Sequence, residues 1–424
     1  MTLIAILCLY TALLSWISYA QIRFLEREKD KQAQILSEKD YQNAADIAIE
    51  NEKFKLFSNF YMLIVNIAWI GFGFLYLKEL LISENSRLEN TLFLLAFLII
   101  TSILNLPLSI YESFVKDKAH GFSNMTLKLF IKDTIKSLIL TLIFGFLILY
   151  ALLFCYDFFG TFWWLAAFIF AFCVIVIINV IYPTLIAPIF NKMEKLEDEN
   201  LLSKINDLMK QCGFNANGVY VIDASKRDKR LNAYFGGLFK SKRVVLFDTL
   251  LKALSERERL NAYFGGLFKS KRVVLFDTLL KALSERELLA VLGHELGHFV
   301  HKDIIKALIN GAITMFLLFF IFAHLPDFVY QESHLEGVNG GVFALLFIFA
   351  NIFSFIISPL INALSRKNEF AADQHGSKLT SKEDMKNALL ALARENKAFI
   401  KTSKIYTFFY LSHPSISDRI KALS

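Results

Sequence analysis

The chain has 424 residues, of which 55% are hydrophobic, and it contains 43 Phe but only 6 Pro. With a mean hydropathy of +0.46, it carries more apolar surface than a soluble domain can bury, so the composition indicates an integral membrane protein. The four cysteines (Cys8, Cys155, Cys173 and Cys212) occur singly. The sequence therefore indicates neither a disulfide framework nor a thiolate metal site, and any metal must be held by histidines and carboxylates.

Seven uncharged stretches of roughly 19 residues or more are each long enough to cross about 30 Å of hydrocarbon as a helix. They are residues 1–22, 56–77, 90–111, 137–156, 158–191, 307–325 and 337–365. The fifth is too long for one span, and we expect Pro183 and Pro188 to end its helix near the interface. The first stretch is followed, not preceded, by basic residues, which is typical of a membrane anchor with its N-terminus outside.

The loops between these stretches differ in basic residues. Loops 21–55 and 112–136 hold seven and five Lys or Arg, whereas loops 78–89, 157–161 and 326–341 hold two, none and none. The positive-inside rule therefore places the first two in the cytoplasm, and segments 192–306 and 366–424 with them. The net charge of +7 follows from this topology and from anionic lipid at that face. We expect membrane lipid as a partner, and no nucleic acid.

A perfect repeat interrupts the chain: residues 230–258 recur without one substitution as residues 259–287. Stacked repeats need three or more units, so this identity indicates a recent duplication or an error of assembly. Each copy predicts a strand (LNAYF), a Gly-Gly turn, a second strand (RVVLF) and a short helix. The downstream copy runs directly into the helix described next, and we expect that copy to lie near the functional site.

Residues 285–303 (ERELLAVLGHELGHFVHKD) predict one helix, which opens with a capping box made by Ser284 and Glu287. Gly293 and Gly297 lie inside it. In a helix interior each glycine costs about 1 kcal/mol relative to alanine. Their presence therefore indicates that another element approaches this helix closely.

The same helix contains the motif HELGH. His294 and His298 are four residues apart, so they share one helical face and can present ring nitrogens to a single Zn²⁺ at about 2.0–2.1 Å. Glu295 is placed to act as a general base on the attacking water. The alternative is a chance match on an ordinary helix. Because catalytic zinc takes three protein ligands, a third ligand is expected elsewhere.

Glu369 is the predicted third ligand. It lies four residues after the seventh uncharged stretch, and His298 lies nine residues before the sixth, so both are expected at a similar depth near the cytoplasmic surface. Asp373 is one helical turn further on and could accept the second N–H of a ligating histidine. The alternative for both carboxylates is a solvated acidic face. A metzincin is excluded, because Ile304 stands where that class needs its third histidine.

Two further segments supply candidate residues. Near the C-terminus, His413 precedes Pro414 in the expected first turn of a helix that carries Arg419. A histidine or arginine returning to a zinc site can stabilise an oxyanion, although a capping histidine and a solvated arginine are equally consistent with the sequence. In the downstream LNAYF strand, Asn261 and Ala262 would line the cleft if substrate adds to a sheet edge; the alternative is a core strand.

The sequence resembles the Ste-type CAAX prenyl protease family of integral membrane zinc metalloproteases. Six segments carry the resemblance in family order: FVKDKAHGFSNMTLKLFIKD, IYPTLIAPIFNKMEKLED, NAYFGGLFKSKRVVLFDTLL, ELLAVLGHELGHF, NEFAAD and SHPSISDRI. The resemblance implies an α-helical integral membrane protein whose seven transmembrane helices enclose a chamber, with a small cytoplasmic α+β zincin-like catalytic domain. The family has a single NAYF segment, so the duplication is a departure from its pattern.

The resemblance also implies roles for individual residues. One Zn²⁺ per chain would be bound by His294, His298 and Glu369, and Glu295 would activate water. The surrounding catalytic shell would contain Asp373, His413 and Arg419.

The sequence predicts four regions: transmembrane residues 1–182, a metalloprotease segment 183–305, two further spans in 306–365 and a catalytic segment 366–424. The predicted function is a zinc endopeptidase that cleaves peptide bonds at or within the cytoplasmic membrane surface, in a peptide or protein that can be lipidated or membrane-inserted. The substrate is either a CAAX-like C-terminal peptide or a damaged membrane protein. An inactive scaffold or lipid-binding chamber is the alternative from another class. A transporter is disfavoured, because the uncharged stretches lack intramembrane ionisable residues.

Overall fold

Seven long apolar helices dominate the computed structural model, which describes residues 1–31, 33, 36–195, 199–213, 219–230, 234–236, 243–247 and 284–424. In chain order the first five are α1 (Thr2–Lys29), α2 (Glu38–Leu81), α3 (Arg87–Ala119), α4 (Leu127–Phe158) and α5 (Gly160–Ile181). The other two are α8 (Asp303–Ala323) and α10 (Gly341–Leu379). All seven are long and apolar enough to cross a bilayer, so the seven predicted spans are confirmed.

The spans pack around a shared apolar core. Phe74 of α2, Phe93 of α3 and Phe343 of α10 are fully buried in it. Many other large apolar side chains on these helices are exposed, as expected of surfaces that face lipid rather than water. The helix α5 ends at Ile181, and the two prolines predicted to stop it lie in the π-turn Tyr182–Ile186 and the single turn Ala187–Phe190 that follow.

Contacts between loops show which ends of the spans lie on the same face of the helix bundle. On one face, the N-terminus and the loops poor in basic residues pair with one another, through Met1 with Glu332 and Arg87 with Asp157. On the other face, the two basic loops contact the later segments, through Glu28 with Lys401, the His120 carbonyl with Lys397, and Asp133 with Arg227. This alternation agrees with the predicted topology, while the assignment of the second face to the cytoplasm stays a prediction.

A small mixed sheet lies between the fifth and sixth spans in sequence. Its strands β1 (Met193–Lys195), β2 (Val219–Ile222), β3 (Tyr234–Gly236) and β4 (Arg243–Phe247) are arranged in the order β1-β2-β4-β3. The strands β2 and β4 are parallel, and β1 and β3 pair antiparallel at the two edges. A helix, α6 (Glu199–Gln211), connects β1 to β2.

Both β3 and β4 come from the upstream copy of the repeat, so that copy forms the two strands that its sequence predicts. The downstream copy lies outside the described residues up to residue 283. Its expected place near the functional site therefore stays a prediction.

Five shorter helices complete the described part of the chain after the sheet. They are α7 (Glu285–Val300), α9 (Asp327–Glu332), α11 (Lys382–Glu395), α12 (Lys404–Tyr410) and α13 (Ile416–Leu423). Two of them, α7 and α13, contribute to the candidate site together with α10. The predicted capping box at the start of α7 is present, with Ser284 and Glu287 bonded reciprocally.

Two predicted helix boundaries were wrong. The motif helix does not continue to Asp303: α7 ends at Val300, and Lys302 takes a left-handed conformation (φ 57°) that turns the chain into α8. Pro414 does not lie in the first turn of the last helix either, because Ser415 caps α13 and the helix begins at Ile416. A serine side chain that accepts a backbone N–H outweighed the preference of proline for the first turn.

Candidate metal centre

The helices α7 and α10 cross with their backbones almost in contact. A Cβ atom on Gly293 would lie 2.9 Å from the Cα of Gly376, and one on Gly297 would lie 3.0 Å from the Cα of Ala372. A Cβ on Gly376 would be 2.7 Å from the Ala290 carbonyl oxygen. Even a methyl group in place of one of these glycine hydrogens would push the two helices apart. The close approach predicted from the two motif glycines is confirmed.

This crossing brings the three predicted ligands together. The Nε2 atoms of His294 and His298 are 3.2 Å apart. The carboxylate of Glu369 lies 3.5 Å from His294 Nε2 through Oε2 and 3.3 Å from His298 Nε2 through Oε1. All the ligand atoms of this trio lie within 4.8 Å of one another.

The surroundings of Glu369 fit a metal ion. Its side chain is buried, only 4% of the residue being exposed, and its Oε2 atom has no hydrogen-bond partner. A buried carboxylate oxygen without a partner is costly, and a cation between the three side chains would remove that cost. Two imidazoles and one carboxylate are a ligand set typical of catalytic zinc. The residues present therefore fit the implied metal.

A carboxylate lies behind each of the two histidines. His294 Nδ1 is 2.8 Å from Asp373 Oδ1, as predicted for Asp373. His298 Nδ1 is 2.9 Å from Asp303 Oδ2, and this partner was missed from the sequence. Such hydrogen bonds fix the ring tautomer, so that Nε2 is left free for the metal. The signal for Asp303 was its place five residues after His298, but a continuous helix would have turned it to another face.

Arg419 supports this arrangement from α13. Its Nε and Nη2 atoms donate to the two oxygens of Asp373 at 2.8 and 2.6 Å, and its Nη1 atom is 3.7 Å from Glu369 Oε2. Burial alone would lower the pKa of Arg419, but the hydrogen bonds and charge of Asp373 outweigh it and raise the pKa. Arg419 is therefore a permanent cation that holds Asp373 against His294.

His413 also reaches the same centre. Its Nε2 atom lies 3.2 Å from Glu369 Oε1, while most of its side chain is exposed. Its Nδ1 atom is 2.9 Å from the Ser412 hydroxyl. Glu295 is half-buried next to the first ligand, and its charge contributes to raising the pKa of His298.

The protonation of His298 is shifted strongly. Burial favours its neutral form, but hydrogen bonds to Glu369 and Asp303, and the charges of Glu369 and Glu295, outweigh that effect and raise its pKa to about 9. Without a metal, the negative charge of the nearby carboxylates keeps a proton on His298 at neutral pH. That proton must leave before a cation can bind.

The structure thus brings together seven of the nine residues singled out from the sequence: His294, Glu295, His298, Glu369, Asp373, His413 and Arg419. Asn261 and Ala262 lie outside the described residues. Two nearby histidines lie outside this trio: the rings of His301 and His375 contact each other edge to face, with ring centroids 5.8 Å apart.

Known proteins resemble the chain over its whole length. The family of the CAAX prenyl protease N-terminal domain, with five membrane helices, matches residues 21–192. Peptidase family M48 matches residues 195–260 and 253–424, and these two matches overlap within the repeat.

Individual relatives agree with this. A CAAX prenyl protease 1 homolog of Mus musculus is 32% identical over 358 residues, covering 80% of this chain and 74% of that protein. One from Taenia solium is 30% identical and covers 99% of this chain and 94% of its own length. The crystal structure of S. mikatae Ste24p superposes with a TM-score of 0.85 at 26% identity, covering 99% of this chain and 98% of that one.

These matches confirm the predicted fold class and a metalloprotease function in a multi-pass membrane protein that acts on peptide or protein substrates. A metal is implied by the peptidase family and by the ligand trio. The alternatives of an inactive scaffold and of a quality-control protease are not favoured. The chain belongs to the CAAX prenyl protease family within peptidase family M48.

Proposed function

We propose that this protein is a zinc-dependent endopeptidase of the HExxH-plus-Glu type. The observation that carries the proposal is the buried carboxylate of Glu369: its Oε2 has no hydrogen-bond partner and lies 3.5 Å from His294 Nε2, and its Oε1 lies 3.3 Å from His298 Nε2. Each of these two histidines is oriented by a carboxylate. One Zn²⁺ per chain would be held by His294, His298 and Glu369. When bound, it supplies a Lewis acid that polarises the scissile carbonyl and lowers the pKa of the attacking water.

The protein's own groups then handle the protons. Glu295 is half-buried next to the first ligand, where it accepts the proton of the attacking water and passes it to the leaving amine. His413 stands on the open side of the centre, where its Nε2–H can donate to the oxyanion that forms on the carbonyl. Arg419 is committed to Asp373, so its role is to keep His294 in position rather than to contact substrate.

The substrate follows from the family and from the edge of the sheet. The relatives are named CAAX prenyl proteases, so we propose a C-terminal CAAX-like peptide, lipidated at its cysteine. Extended peptide can pair with an exposed sheet edge, and β3 is an edge strand of the described sheet. The residues just before β3 repeat as Asn261 and Ala262, which are the proposed substrate contacts.

The proposed orientation places the catalytic site and the C-terminus in the cytoplasm and the N-terminus outside. The loops 21–55 and 112–136, which contact the catalytic segments, hold seven and five Lys or Arg, whereas the three loops of the other face hold two in all, as the positive-inside rule requires of a cytoplasmic face. Segments 183–305 and 366–424 then form the cytoplasmic catalytic unit, and residues 1–182 and 306–365 form the membrane unit.

The test uses the purified full chain in detergent with a fluorogenic farnesylated CAAX peptide and a non-prenylated control peptide. We expect one zinc per chain in wild type and in Glu295→Gln, with turnover lost by at least about 10³-fold in the variant. A chelator should abolish wild-type turnover, and zinc should restore it. Equal turnover of both enzymes, or turnover that survives metal removal, would rule out the proposed chemistry.

A further inference from the structure

The short helix α12 ends at Tyr410, three residues before His413, which contacts the metal centre through Glu369. The last carbonyls of a helix have no hydrogen-bond donors within that helix. In α12, side chains of α10 donate to these carbonyls. Arg366 donates through its Nη1 atom to the carbonyl oxygens of Thr407 at 2.8 Å and Leu411 at 2.7 Å. Asn362 donates through Nδ2 to the carbonyl of Phe409 at 2.8 Å, and the Ser358 hydroxyl donates to the same oxygen at 3.0 Å.

The three donors form a ladder along one face of α10. Ser358, Asn362 and Arg366 are spaced by four residues, so their side chains follow one another along the helix. Glu369 is only three residues beyond Arg366 on the same helix. One rigid helix therefore carries both a metal ligand and the group that grips the end of α12.

The other side of α12 is fixed as well. The Tyr406 hydroxyl donates to Glu52 Oε1 on α2 at 2.6 Å, and the Ser403 backbone N–H donates to Gln21 Oε1 on α1 at 3.0 Å. The first two membrane helices therefore hold the amino-terminal half of α12, while α10 holds its carboxyl end.

The chain reaches His413 two residues after Leu411, the last carbonyl that Arg366 binds. The His413 ring itself is largely exposed, and it contacts Glu369 Oε1 and the neighbouring Ser412 hydroxyl. Packing does not enclose this ring, so its place over the centre depends on where the backbone is anchored.

We propose that Arg366, assisted by Asn362, is a positioning residue that holds His413 in register with the metal centre. An arginine suits this task because one planar guanidinium can serve two carbonyls, and its charge complements the negative end of the helix dipole. The inference rests on the proposed role of His413 in the reaction. It extends that role to residues outside the HELGH, NEFAAD and SHP motifs.

The test is a double-mutant cycle on the full chain, with Arg366→Gln, His413→Ala and the pair, measured on the farnesylated peptide. Lys367→Gln is the matched control, because Lys367 is exposed on the same helix. We expect Arg366→Gln to lower kcat about tenfold, with zinc content and KM unchanged, and Lys367→Gln to match wild type. In the His413→Ala background the same change should cost less than about twofold, since residues that act as a unit are not additive.

Equal losses in both backgrounds, or a loss of zinc from Arg366→Gln, would overturn the inference. If Arg366→Gln does not fold, Asn362→Ala takes its place in the cycle, because it removes one donor and leaves the charge. The Glu295→Gln enzyme is assayed alongside. An active Glu295→Gln contradicts the proposed function, whereas an inactive one combined with additive losses contradicts only the assignment of Arg366.

Discussion

His298 and Asp303 are joined by a 2.9 Å hydrogen bond across the break between the motif helix and the sixth span. Lys302 adopts its left-handed conformation within this break, and that turn swings the first residue of α8 back toward the ligand ring. Asp303 is buried and also accepts from Lys306 Nζ at 2.7 Å. The metal centre is thus joined by a hydrogen bond to the first residue of the membrane-spanning helix α8.

Replacing Asp303 with asparagine should weaken metal binding. The change removes the negative charge behind His298 and leaves an amide that can donate as well as accept, so the ring tautomer is no longer fixed. Loss of such a partner costs about 10–100-fold in metal affinity. Competition against a zinc chelator measures this, with Asp327→Asn, at the start of α9 beyond the other end of α8, as control. An affinity within about twofold of wild type would show that Asp303 does not orient the ring.

The sequence was sufficient to predict that the three proposed ligands come together, but not to predict everything that orients them. A four-residue spacing on one helix determines that His294 and His298 share a face. Their distance from the sixth span, and that of Glu369 from the seventh, place all three side chains at a similar depth. Asp303 could not be assigned, because its contact depends on the backbone at Lys302, where a non-glycine residue takes a conformation that sequence does not favour. Arg366 was missed for a related reason: its partners are backbone carbonyls, which leave no pattern in the side chains.

Gly376→Ala should destabilise the protein and weaken metal binding together. The new methyl group would lie 2.7 Å from the Ala290 carbonyl oxygen and 2.8 Å from the His294 amide nitrogen. Both are backbone atoms, so α7 and α10 must separate, at a cost of about 1–3 kcal/mol. Because His294 is on the displaced backbone, zinc affinity should fall as well.

The control for this experiment is Gly311→Ala in α8, where a new methyl group meets nothing within 4 Å. Thermal unfolding in detergent, with zinc and with chelator, compares the two variants. We expect Gly311→Ala to match or exceed wild type, since alanine favours the helix. An unfolding midpoint of Gly376→Ala equal to that of wild type would contradict the tight crossing.

The pH dependence of zinc binding should follow His298. With a pKa of about 9 in the metal-free protein, this ligand is protonated at neutral pH, and the bound proton competes with the metal. Apparent zinc affinity should therefore rise by about tenfold per pH unit from pH 7 toward 9, and then level off. Asp303→Asn should move the plateau to lower pH, because it removes one of the hydrogen bonds that raise this pKa.

The metal-free protein should show the opposite trend in stability. A pKa above the ordinary value of 6.5 means that the folded state holds the proton more tightly than the unfolded state. The resulting stabilisation is full below pH 6.5 and is lost as pH rises through 9. Thermal unfolding in excess chelator between pH 6 and 9 checks this sign, with His298→Gln as control. A midpoint that rises with pH in wild type relative to the control would exclude a protonated His298.

Removing one copy of the repeat should leave an active enzyme. Deleting residues 230–258 or residues 259–287 gives the same sequence, and that sequence still encodes both strands and the capping serine and glutamate that open α7. The described sheet uses the strands of a single copy. The match to the peptidase family likewise covers this region twice, once ending at residue 260 and once starting at residue 253. We therefore expect the shortened chain to bind one zinc and to cleave the farnesylated peptide at least as fast as the full chain. A shortened chain that folds and binds zinc but has lost turnover would show that the second copy contributes to the substrate cleft.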